Sequence, residues 1–116
     1  MQPCVNILLI EDNLAEARFL QEVLKGSTIL NRFHLSHVQR LAEGIEKLRE
    51  DERFDVILLD LSLPDSQGLG SLDLLLDLAP SLPIVVLTNT NDDALAIEAV
   101  RHGAQDYLVK RQVNQD

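Results

Sequence analysis

Residues 54–60 read Phe-Asp-Val-Ile-Leu-Leu-Asp, a run of strand-forming apolar residues that ends on an acid. A second run, at residues 5–10, reads Val-Asn-Ile-Leu-Leu-Ile and is followed at once by Glu11 and Asp12. Ionised carboxylates repel one another, and leaving water costs them free energy. Packing alone therefore does not account for acids at the ends of two buried-type strands. The pattern predicts a Mg²⁺ site around a reactive carboxylate.

The rest of the chain alternates short apolar runs with longer segments of helical period, which is typical of a parallel α/β sheet. The middle strands are continuously apolar, as expected when helices cover both faces of the sheet. The pattern predicts strands at 4–10, 33–38, 54–60, 84–88 and 104–109, and helices at 13–25, 41–50 and 66–78. Gly26 is predicted to end the first helix. A fourth helix is predicted to begin with Asn91 or Asp92 as its cap and to end at Gly103.

The length and composition indicate one domain over residues 1–116, with a core built from aliphatic side chains. The formal net charge of −9 argues against binding to nucleic acid, which requires a basic face. Cys4 is the single cysteine, so an internal disulfide is excluded, and we expect it to be buried in the core. No apolar run reaches the roughly 18 residues of a membrane span. Without a signal-peptide pattern either, the chain is expected to be cytoplasmic.

Polar side chains follow the predicted strands at their carboxyl ends. In a parallel sheet these ends share one edge, and ligands bind where the strand order reverses. The residues at these ends are Glu11, Asp12, Asp60, Thr88 and Lys110. Neighbouring strands lie about 4.8 Å apart, so carboxylates from adjacent strands can share one Mg²⁺. A hydroxyl and an ammonium beside that cluster suit the stabilisation of phosphoryl oxygens during transfer.

The same residues resemble the response-regulator receiver domain of two-component signalling over essentially the full chain. The resemblance rests on the acidic pair Glu11-Asp12, on Asp60 with Pro64 four and Gly68 eight residues later, on Thr88, and on Tyr107-Leu-Val-Lys110. Each motif is weak alone, but together they occur in order at the right strand ends. The resemblance implies a flavodoxin-like, doubly wound sheet of five parallel strands in the order 2-1-3-4-5.

The resemblance also implies a role for each site residue. Asp60 is expected to accept a phosphoryl group from the phosphohistidine of a histidine kinase or phosphotransfer protein. Mg²⁺ is expected to bind the side chains of Glu11, Asp12 and Asp60 and the backbone carbonyl of Ser62. Lys110 is expected to contact the phosphoryl group, Thr88 to turn toward it, and Tyr107 to change rotamer in concert. Catalysis would be limited to the domain's own phosphorylation and dephosphorylation, so no stand-alone enzyme is expected.

Three departures from the family pattern lead to further expectations. Asn89 stands where the family usually has a smaller residue, which predicts an altered lifetime of the phosphorylated state. Arg111 replaces a common proline, so the preceding peptide bond is expected to be trans. Only six residues follow Lys110, too few for the family's fifth helix, so apolar side chains beside strands one and five lose their cover. We expect the chain to belong to a longer multidomain regulator or hybrid kinase, and homodimerisation is the other explanation.

Other α/β functions lack their residues in this chain. A P-loop or a dinucleotide fingerprint would require a glycine-rich turn after the first strand, where the chain has Glu11-Asp12-Asn13. An FMN phosphate at that position would be repelled by the two acids. His34, His37 and His102 do not have metal-ligand spacing, and none is assigned chemistry. The alternative that stays open is a receiver-like interaction module that works without phosphorylation.

Overall fold

The computed structural model describes residues 4–26, 32–50, 53–88 and 93–110. Its main sheet has five strands, which are β1 Val5–Ile10, β2 Phe33–Val38, β3 Val56–Asp60, β4 Ile84–Thr88 and β5 Asp106–Val109. They lie in the order β2-β1-β3-β4-β5, and every neighbouring pair is parallel. The predicted fold class and strand order are therefore confirmed.

Four helices flank the sheet in the described part of the chain: α1 Leu14–Lys25, α2 Leu41–Arg49, α3 Gly70–Leu78 and α4 Asp93–His102. Helix α1 covers one face, where Ala17 is buried against strand residues. Helices α2, α3 and α4 cover the other face and contribute Leu41, Leu72 and Ala99 to the larger core cluster. None of these helices has the length and apolarity needed to cross a membrane.

The start of α3 was predicted wrongly. The helix begins at Gly70 instead of residue 66, because residues 62–67 form a short antiparallel hairpin. Pro64 occupies the turn, where its fixed φ is favourable. Gly68 then adopts a φ of 73°, and its N–H donates to the carbonyl of Leu61 at 2.8 Å. Glycine adopts this left-handed conformation without steric cost, so the hairpin closes beside the end of β3.

Several element ends differ from the predictions. Strands β1, β3 and β5 begin one or two residues later than expected, although Phe54 is still buried ahead of β3. Cys4 was expected in the core but is exposed, because it precedes Val5, the first paired residue of β1. Gly103 ends α4 as predicted, with a φ of 128°. The predictions for Asn89, Arg111 and a cap at Asn91 or Asp92 lie outside the described residues.

The α1 side of the sheet has an apolar groove next to β5. It has a volume of about 250 Å³, and its apolar lining consists of Phe19, Leu20, Val23, Leu87, Leu108 and Val109. Leu108 and Val109 are both more than 40% exposed. Within the described residues no helix covers this groove. The polar end of the groove is formed by Glu11, Glu16 and Lys110, so it opens onto the carboxyl edge of the sheet.

Candidate metal centre and acceptor carboxylate

The structure brings three acids together at the carboxyl edge of the sheet. Strands β1 and β3 are neighbours, with Ile10 opposite Leu59, so the next residue of each strand is an acid at the same edge. Glu11, Asp12 and Asp60 each offer an oxygen within 4.8 Å of the other two. Glu11 and Asp60 are buried, whereas Asp12 is exposed. These are the three side chains that the sequence predicted as metal ligands.

The donor set fits a hard divalent cation. Mg²⁺ binds oxygen at about 2 Å in octahedral geometry, so its ligand oxygens lie roughly 3–4 Å apart. The carboxylate spacing is close to this range, and the exposure of Asp12 leaves room for water ligands. The pKa of Glu11 is raised to about 7, chiefly by burial and also by the charge of Asp60, which together outweigh the lowering effects of the Asn13 amide and Lys110. The ionised form of Glu11 is therefore disfavoured even with Lys110 nearby, and a bound cation would favour it.

Ser62 was predicted to contribute its backbone carbonyl. It lies at the start of the hairpin, and its N–H donates to Oδ1 of Asp60 at 3.0 Å. The Ser62 backbone is thus held directly against the central carboxylate. The hairpin that the sequence missed is the element that keeps it there.

Lys110 places one ammonium among three carboxylates. Its Nζ lies 3.1 Å from Oε1 of Glu11, 3.1 Å from Oε2 of Glu16 and 3.3 Å from Oδ1 of Asp60. Its backbone N–H donates to the carbonyl of Thr88 at 2.6 Å, which fixes where the side chain begins. Burial alone would lower the pKa of Lys110, but the charges of Asp60 and Glu11 more than offset this and raise it. The ammonium therefore stays protonated beside Asp60.

Thr88 ends β4, next to the strand that ends in Asp60. Its side chain is buried, and its hydroxyl has no hydrogen-bond partner among the described residues. A buried hydroxyl without a partner lowers the stability of the fold by about 1–3 kcal/mol. The hydroxyl of Thr88 is therefore free to donate to an acceptor that enters the site. Tyr107 lies opposite Val86 in the register, so strand alternation puts it on the same face as Thr88. It is 39% exposed, which leaves room for a change of rotamer.

Three residues that contact the site or the elements beside it were not predicted from the sequence. Glu16 was not predicted to bind Lys110. His37, assigned no chemistry, donates from Nε2 to the backbone carbonyl of Glu11 at 2.7 Å. Asp65 accepts the N–H groups of Leu41 and Ala42 at 2.9 and 3.0 Å. Two features of the sequence could have indicated these roles. Asp65 directly follows Pro64, and His37 lies on a strand next to β1.

Comparison with known proteins gives a consistent result. The family described as the response regulator receiver domain matches residues 7–116. The chain is 29% identical over 106 residues to the transcriptional regulatory protein ZraR of Klebsiella oxytoca. This match covers 91% of the chain but 23% of the relative. The chain thus spans less than a quarter of the length of the curated relatives it matches.

Two solved structures are similar in both fold and sequence. The Mn²⁺-bound form of the response regulator Rcp1 has a TM-score of 0.79 and is 32% identical, with 95% of this chain and 84% of that chain covered. The phosphorylated cyanobacterial phytochrome response regulator RcpA has a TM-score of 0.80 and is 28% identical, with 97% and 84% covered. The first is described with a divalent metal and the second in a phosphorylated state.

Proposed function

Because the chain belongs to the family of response-regulator receiver domains, we propose that it is a phosphoacceptor in a two-component phosphorelay. The acceptor is Asp60, and the donor is the phosphohistidine of a histidine kinase or phosphotransfer protein. The main observation that supports this proposal is the geometry around Asp60. The buried carboxylate of Asp60 lies 3.3 Å from the ammonium of Lys110 and within 4.8 Å of two further acids.

The transfer forms one bond and breaks one. A carboxylate oxygen of Asp60 bonds to the phosphorus while the P–N bond of the donor breaks, and the imidazole nitrogen keeps the electron pair of that bond. Lys110 contacts the oxygens of the phosphoryl group, where negative charge is spread in the transition state. The ammonium is already in place before the reaction, so it costs no reorganisation at that moment.

We propose Mg²⁺ as the metal, held by the side chains of Glu11, Asp12 and Asp60 and by the carbonyl of Ser62. When bound, the ion neutralises charge that would otherwise oppose the approach of an anionic donor. The Mn²⁺ in the name of the similar Rcp1 structure supports a divalent ion at such a site. The acidic side chains themselves keep the metal beside the acceptor and exclude other anions from it.

Phosphorylation would then change the conformation of the domain. The added group carries up to two negative charges and three acceptor oxygens. The unpaired hydroxyl of Thr88 turns toward it, and Tyr107 on the same face changes rotamer. The altered surface acts on an output domain or partner protein in the cytoplasm. In this proposal residues 1–116 are one receiver domain, and its chemistry is limited to its own modification.

The test is phosphate incorporation measured by intact mass. Wild type incubated with Mg²⁺ and acetyl phosphate should gain one phosphoryl group, and Asp60→Asn should gain none. Asp77→Asn, the same chemical change at an exposed position on α3, is the matched control and should behave like wild type. If wild type gains no mass from acetyl phosphate or from a phosphorylated kinase, the chain is better described as a phosphorylation-independent interaction module.

A further inference from the structure

Among the described residues, three carboxylates surround the ammonium of Lys110. An ammonium carries three N–H bonds, and three carboxylate oxygens lie within 3.3 Å of Nζ. Two of them belong to Glu11 and Asp60, whose side chains are 2% and 3% exposed. The third belongs to Glu16 of α1, whose side chain is 27% exposed. Among these three carboxylates, Glu16 is therefore the one that water reaches most readily.

The first turn of α1 fixes Glu16 in this position. Asn13 caps the helix, and its Oδ1 accepts the N–H of Glu16 at 3.0 Å. The N–H of Asn13 in turn donates to Oε2 of Glu11 at 3.1 Å. The backbone of this turn is thus tied to a buried acid of the site. An acid in the first turn of a helix is also favourable without any role in the site, because it offsets the helix dipole.

We propose that Glu16 is a positioning residue that holds one donor of the Lys110 ammonium while Asp60 is unmodified and releases it when Asp60 is phosphorylated. This inference rests on the proposed function. A phosphoryl group brings three new acceptor oxygens to Lys110, which has no fourth N–H to offer. The N–H that Asp60 held can pass to one phosphoryl oxygen, but a second phosphoryl oxygen is reached only if another carboxylate gives up its N–H. The partly solvated Glu16 loses least, because water replaces the contact.

Two consequences follow for the reaction and for α1. Glu16 competes with the phosphoryl group for Lys110, and its charge also opposes the approach of an anionic donor. Lys110 does not need Glu16 to stay in place, because Glu11 and Asp60 hold it from the buried side. Release of Glu16 transmits the modification of Asp60 to the first turn of α1, at the polar end of the apolar groove.

The first experiment compares the rates of phosphorylation by acetyl phosphate in Mg²⁺. Glu16→Gln should be phosphorylated about three- to fivefold faster than wild type, the size expected from one partly exposed ion pair. Glu22→Gln is the matched control, because this exposed acid on the same helix pairs with Lys25 alone among the described residues. Its rate should equal that of wild type.

The possible failures of this experiment are distinct. If wild type takes up no phosphate from acetyl phosphate or from a phosphorylated kinase, both the proposed function and this inference are overturned. If wild type reacts but Glu16→Gln reacts no faster than Glu22→Gln, the function stands and this inference is overturned.

The second experiment uses wild type and separates the proposal from a helix-dipole role. The side-chain carboxyl ¹³C signal of Glu16 is recorded by NMR with Mg²⁺ alone and then with beryllofluoride, which mimics the phosphoryl group on Asp60. The Glu16 signal should shift toward that of a solvated glutamate, and the Glu22 signal should not move. In Lys110→Met the Glu16 signal should already be at the solvated position. If the Glu16 signal shifts neither with beryllofluoride nor in Lys110→Met, the proposal is overturned.

Discussion

The buried hydroxyl of Thr88 has no hydrogen-bond partner among the described residues, which makes the unmodified protein less stable. Replacing Thr88 by valine keeps the shape and removes the buried polar atom, so Thr88→Val should raise the free energy of unfolding by about 1 kcal/mol. Ser71 is the control, because its equally buried hydroxyl donates to the carbonyl of Gly68 at 3.3 Å. Ser71→Ala should lower the same quantity. Urea unfolding measures both, and a clear loss of stability in Thr88→Val would contradict this account.

At the scale of single residues, the sequence predicts those that stand at strand ends. Asp60, Thr88 and Lys110 each follow an apolar run directly, so a parallel sheet must bring them to one edge. Glu16 and Asp65 lie outside such runs. Their partners are set by how α1 and the hairpin are oriented against the sheet, and this depends on packing instead of local pattern. The predicted burial of Cys4 was wrong for a related reason. The strand begins one residue later than predicted, and this difference leaves Cys4 exposed.

The hairpin at residues 62–67 and helix α2 are joined by one carboxylate. Both oxygens of Asp65 accept N–H groups from the first turn of α2, at 2.9 and 3.0 Å. These N–H groups have no partner within the helix, and an acid at this end also offsets the helix dipole. Asp65 thus caps the N-terminus of α2, although it lies 24 residues from Leu41 in the sequence.

Loss of this cap should weaken the protein in a pH-dependent way. Asp65→Asn should lower the free energy of unfolding by about 0.5–1 kcal/mol at neutral pH, the lower part of the capping range because the carboxylate is exposed. Burial would raise the pKa of Asp65, but the amides of Ala42 and Leu41 lower it below its usual 3.8. Its contribution is therefore present above pH 3.8 and lost as the pH falls through the lowered value.

Denaturant titrations at several pH values test this effect. The difference in stability between wild type and Asp65→Asn should shrink below pH 3.8. Glu46→Gln changes an exposed acid on α2 itself and should cost much less at every pH. A difference for Asp65→Asn that does not depend on pH would show that the charge of the cap is unimportant.

The helices and strands that the sequence placed best are those with a clear period and a clear stop. Strand β2 and strand β4 have the predicted bounds, and α2 differs by one residue. The start of α3 was missed because the hairpin strands are two residues long, too short to show alternation. Pro64 and Gly68 were recognised as a motif. Both residues favour turns, but this preference was not used to predict that α3 begins after them.

For the molecule as a whole, the acids outnumber the bases 19 to 10, and three acids share one corner. Without metal, the folded state keeps Glu11 at a pKa of about 7 against an ordinary value of 4.5. The folded protein therefore binds this proton more tightly than the unfolded chain does. It follows that the contribution of Glu11 to stability is fully present below pH 4.5 and is lost as the pH rises through about 7.

A divalent cation should reverse this loss, because it binds the ionised cluster of the folded state. Mg²⁺ at a hundred times its dissociation constant should raise the free energy of unfolding by about 2.7 kcal/mol. Since protons compete for Glu11, a fixed Mg²⁺ concentration should stabilise the protein more at pH 8 than at pH 6. Thermal unfolding in chelator and in Mg²⁺ measures this, with NaCl at matched ionic strength to remove general screening. Asp12→Asn should reduce the gain, and an equal gain in NaCl would mean that the acids repel one another without forming a metal site.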